Sequence, residues 1–87
     1  MGLINVTQQA YYSQSQSFTG NGSATQFTLT TTAFPTLPTA KSQIQIFVNG
    51  KEVNTANYNY SSPNVTFTGN SQNADILENT GAPKAGF

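Results

Sequence analysis

The chain has 87 residues, of which 39 are Thr, Asn, Ser or Gln, while only three Lys and three Asp or Glu carry charge and cancel. Without a basic surplus, the electrostatic footprint that draws a protein to nucleic-acid phosphates is missing. Without Cys or His there is no thiolate nucleophile, disulfide, Cys-type zinc site or usual neutral-pH general base, so neither a resident cofactor nor a metal is expected and catalysis has no positive support.

Residues 1–17 are rich in Gln and Ser around Tyr11 and Tyr12. The segment has neither the basic start and apolar run of a signal peptide nor the length of a membrane span, and no window elsewhere approaches such a span. It reads as an extended N-terminal docking arm, with Leu3, Ile4, Val6, Tyr11 and Tyr12 as the side chains that would anchor it on a partner.

From Phe18 the hydrophobic period becomes two. Thr25, Phe27 and Leu29 fall on one face and Gln26, Thr28 and Thr30 on the other, the pattern of a half-buried strand. Gly20-Asn21-Gly22 before it predicts a tight reversal and a hairpin of Gln14–Thr19 with Ala24–Thr30, bringing Phe18 close to Phe27. Pro35 and Pro38 then interrupt regular structure, so Thr31–Ser42 is expected to be a connection with Phe34 and Leu37 tucked beneath it. Gln43–Val48 alternates with Ile44, Ile46 and Val48 inward and ends at Asn49-Gly50, the dipeptide suited to a type I′ turn, so a central strand returning through Lys51–Asn54 is predicted.

A second hairpin follows from Tyr58 and Tyr60 on one face of Asn57–Ser61, the Ser62-Pro63 turn, and Val65 and Phe67 on one face of the next strand. Ala74–Glu78 suits either one helical turn or a short strand. Ala82–Gly86 reads as a turn delivering the chain toward a further strand, of which only Phe87 exists. The expected fold is all-β, a small antiparallel β-sandwich or meander of about six to seven strands: an arm over 1–17 and a single β-module over 18–87 with an incomplete last strand.

The succession Phe18-Thr19-Gly20-Asn21-Gly22-Ser23-Ala24-Thr25-Gln26-Phe27-Thr28-Leu29, Ile46–Val53, Tyr58-Asn59-Tyr60, Val65-Thr66-Phe67 and Gly81–Gly86 resembles the small β-modules of tailed-bacteriophage virion proteins found in tail fibres, appendages and decoration proteins. That resemblance implies a non-enzymatic structural protein of the virion, made in the host cytoplasm, in the tail or fibre apparatus or, alternatively, a capsid decoration protein. It also implies that a final strand should complete the sheet. An edge left without it exposes unpaired backbone groups that invite a strand from elsewhere, so docking on virion proteins and homo-oligomerisation, with a trimer favoured, are expected, Phe87 lying at the open edge. Gly2–Thr7 or Gln14–Thr19 of one copy is the expected donor. A reading of another class is a receptor- or glycan-binding module, with Tyr58 and Tyr60, flanked by Asn57 and Asn59, as a stacking face for a host-surface glycan. The acids Glu52, Asp75 and Glu78 are expected to be solvated surface groups, and four matches to the glycosylation sequon reflect the Asn, Ser and Thr content.

Overall fold

The structure is a computed structural model that describes residues 2–8 and 15–85. Among them lie seven strands in two antiparallel sheets: β1 (Gly2–Gln8), β2 (Ser15–Gly20), β3 (Gln26–Thr28), β4 (Ile44–Val48), β5 (Lys51–Glu52), β6 (Tyr58–Ser61) and β7 (Asn64–Phe67).

The larger sheet has the order β2-β1-β4-β5. Its clearest element is β4, whose apolar residues recur every second position, so one face buries Ile44, Ile46 and Val48 while Gln45 and Phe47 on the other face stay partly exposed. Asn49 and Gly50 both take positive φ, 52° and 84°, as the expected turn requires, and Val48 pairs with Lys51 across it. The central placement of β4 agrees with the sequence reading.

The smaller sheet has the order β3-β7-β6. The predicted β6–β7 hairpin closes through the two residues Ser62-Pro63, with Ser61 opposite Asn64 and Tyr58 opposite Phe67. Hydrogen bonds from Leu29 N to Pro63 O and from Phe67 N to Thr25 O, both 2.8 Å, extend the β3–β7 ladder at either end.

One core unites the sheets. Ile4, Val6, Ile46 and Val48 from the first meet Tyr58, Val65 and Phe67 from the second, and Leu29, Phe34, Val53, Ile76 and Leu77 close the margins. Burial of such side chains contributes about 1.5–3 kcal/mol each. Phe34 is fully buried beneath the Thr31–Ser42 connection and Leu37 packs against the core, as expected. The 74–78 segment forms neither a helix nor a strand: Asn73 O accepts from Ile76 N and Leu77 N in a turn, and Leu77 then makes an isolated bridge to Pro83.

Two expectations are corrected. Residues 2–8 are not a free arm but an inner strand, and the β-module therefore begins at β1 rather than at residue 18; Ile4 and Val6 recur every second residue, and both are buried completely in the common core. Second, β2 and β3 do not form a hairpin. Asn21 Oδ1 accepts from Ser23 N and Ala24 N at 2.9 and 2.8 Å, an Asx-type turn that carries the chain from one sheet to the other instead of reversing it within one. Phe18 and Phe27 do meet, with ring centroids 5.3 Å apart, but across the sandwich.

Candidate docking surface

Because Ile4 and Val6 point inward, period two turns Leu3, Asn5 and Thr7 outward. Register places Thr19 beside Leu3, Ser17 beside Asn5 and Ser15 beside Thr7 on one flank, and Phe47 beside Asn5 and Gln45 beside Thr7 on the other. The outer face of β2, β1 and β4 thus carries hydroxyls and amides around Leu3 and Phe47, without a formal charge. Ser17 Oγ donates to Asn5 Oδ1 at 2.9 Å across this face. Leu3, 51 % exposed, is the single large apolar side chain so exposed among the described residues. Such a face suits close contact with another protein, since no charge must be desolvated when it is covered.

The predicted docking residues divide three ways. Leu3 is exposed. Ile4 and Val6 are corrected, because side chains with no accessible surface cannot present themselves to a partner. Tyr11, Tyr12 and Phe87 lie outside the described residues.

The Tyr58 and Tyr60 ligand face is also corrected. Tyr58 is 1 % exposed; its ring packs 6.2 Å from that of Phe67, and Lys41 Nζ sits 5.1 Å from its centroid, so no stacking surface remains. Tyr60 is partly exposed, but its hydroxyl donates to Pro38 O at 2.6 Å, pinning the proline-containing connection onto the sheet. Burial raises the Tyr58 phenol above its ordinary value of 10.0, and the Glu52 carboxylate adds to the shift. The folded state keeps a proton that the unfolded chain loses, so this contribution is fully present below about pH 10 and is lost as pH rises through the higher folded value. Alkaline titration followed by circular dichroism should show that decline, and Tyr58→Phe should move it to higher pH.

Sequence reasoning missed a polar cluster beside a shallow cleft of about 340 Å³ lined by Glu52, Val53, Asn54, Thr55, Gln72 and Asn73. Asn73 is buried. Its Oδ1 accepts from Asn54 N at 2.7 Å and Asn57 Nδ2 at 2.9 Å, and its Nδ2 donates to Glu52 O at 3.3 Å. Asn57, also buried, donates to Ser71 O at 2.7 Å. These bonds tie the end of β5 and the 3-10 turn at Thr55–Asn57 to the 70–73 turn, where Gln72 takes a positive φ of 64°. Ten Asn among 87 residues hid the two that matter, and no spacing signal marked them. Since the buried amides bond to one another and to backbone, the cluster serves the fold.

The predicted surface acids behave as expected where they are resolved by contacts. Lys51 Nζ reaches Asp75 Oδ2 at 2.7 Å with both side chains about half exposed. That hydrogen bond, before any other influence, holds the Asp75 carboxyl below its ordinary range. Among the described residues no three His, Cys, Asp or Glu gather as a metal site. Comparisons with protein families, with curated proteins and with solved structures find no match for this chain.

Proposed function

We propose that this protein is a non-enzymatic structural subunit of a tailed-bacteriophage particle, placed in the tail or fibre apparatus and docked on neighbouring virion proteins and on copies of itself, with a three-fold assembly favoured. The observation that carries this reading is the uncharged outer face of β2, β1 and β4, with Leu3 exposed within it. A β2 edge of six residues without Lys, Glu or Pro accompanies it. Sheet edges left unguarded in this way favour association with another chain. The ordered succession of Phe18–Leu29, Ile46–Val53, Tyr58–Tyr60, Val65–Phe67 and Gly81–Gly86 adds the phage resemblance to that physical argument.

Purified particles analysed by quantitative mass spectrometry test the proposal. A copy number that is a small multiple of the tail symmetry is the expected result. Hundreds of copies would move the subunit to the capsid surface as a decoration protein. Absence from particles in which other virion proteins are detected would overturn the structural reading.

A further inference from the structure

β1 occupies an unusual lane for a first strand. It lies between β2 and β4, antiparallel to both, with six register pairs on one side and five on the other. Among the described residues β2 has no other strand neighbour. Removing β1 would therefore leave a groove with an unpaired backbone ladder along each wall and a floor missing Ile4 and Val6.

The far end of the chain approaches the same lane. Gly2 pairs with Gly20, and a Cβ on Gly20 would stand 3.0 Å from both Lys84 O and Pro83 Cβ. Gly22 N donates to Pro83 O at 2.9 Å. The Pro83–Lys84 segment thus arrives beside Gly20, where β1 and β2 meet at Gly2. β1 fills that groove as an inserted donor strand would, pairing along both walls.

We propose that the groove between β2 and β4 is a strand-acceptor site that takes residues 2–8 of a second copy, so that copies join by exchanging their first strands. The contacts made in exchange are those already seen within one chain: the same two ladders and the same burial of Ile4 and Val6. Little interaction energy therefore separates the two arrangements, and concentration decides between them. Neither β1 nor β2 carries an ionisable side chain to oppose a second chain. Residues 9–14, which join them, are six uncharged residues able to span about 20 Å when extended, comparable with the 18 and 23 Å shorter dimensions of the molecule. A short tether gives its own strand an effective concentration on the order of millimolar. Densely assembled subunits reach that range, and here the inference rests on the structural-subunit reading.

Asn5 and Phe47 are opposite one another on the outer face, and paired positions of antiparallel strands have Cα atoms about 4.5–5.5 Å apart, close enough for a disulfide. The chain contains no Cys, so introduced thiols report alone. N5C and F47C chains, one of them isotopically heavy, would be refolded together at millimolar concentration, oxidised, and mapped by peptide mass. A bridge joining position 5 of one chain to position 47 of the other, giving a species of twice 9.3 kDa, is expected, with a yield that falls at least tenfold on hundredfold dilution before refolding. The N5C/F47C chain closing its bridge internally at millimolar concentration, with no bridge between the single variants, would overturn the proposal. Should the variants fold poorly, the unaltered protein decides it: labelled and unlabelled chains refolded together should give isotope-filtered nuclear Overhauser contacts between Asn5 and Phe47 of different molecules, and contacts confined to one molecule would overturn it. Failure here leaves presence in particles standing, and absence from particles leaves the exchange measurable.

Discussion

Gly81→Ala is expected to prevent the chain from reaching its folded state. Gly81 holds φ at +95°, and a Cβ there would lie 2.6 Å from Gly69 N, 2.8 Å from Thr68 N and 2.9 Å from Phe67 C. All three are backbone atoms at the end of β7, so no rotamer change can relieve the contact. A domain of this size has about 4–13 kcal/mol of stability in all, and displacing the end of a core strand consumes most of it. Gly50→Ala supplies the control, because Gly50 has a similar φ of +84° with nothing within 4 Å; it should lose only about 1–2 kcal/mol, the cost of an L-residue in that conformation. Thermal melts by circular dichroism should find a cooperative transition for the position-50 variant and none for the position-81 variant. Equal melting temperatures would show that backbone crowding at Gly81 is not what the fold depends on.

Ile4→Ala should destabilise the protein by about 2–5 kcal/mol, the range for emptying a fully buried aliphatic site. Leu3→Ala, one residue away, should change stability by less than about 0.5 kcal/mol, because its side chain is 51 % exposed. Urea unfolding of the pair measures the contrast directly. A segment acting as a free arm would give two small and similar values, so a flat result for Ile4→Ala would return β1 to the surface.

The uneven legibility of this chain has physical causes. β4 was readable because three β-branched residues alternate and the following Asn-Gly dictates its turn. The β6–β7 hairpin was equally plain. β1 was not, although Ile4 and Val6 alternate with outward residues, because the Gln- and Ser-rich stretch behind it dominates the composition of the segment. The partner of β2 was misread for a different reason. Gly and Asn announce a turn without specifying its plane, and the Asn21 side-chain bonds to Ser23 N and Ala24 N set the direction. At the candidate surface, the sequence reading grouped Leu3 with Ile4 and Val6 and did not separate the exposed side chain from the buried ones, and the uncharged face depends on which strands are neighbours, since register is a property of the assembled sheet. Tyr58 and Tyr60 share a face as the period predicted, but alternation cannot say whether that face is wet.

The half-exposed contact of Lys51 with Asp75 is the lone salt bridge among the described residues, and ionic attraction of that kind is weak and readily screened. Cohesion here comes instead from apolar packing and uncharged hydrogen bonds, which dissolved electrolyte barely weakens. The folded chain itself should therefore tolerate passage between fresh water and brine without loosening, its durability set by burial more than by the ions around it.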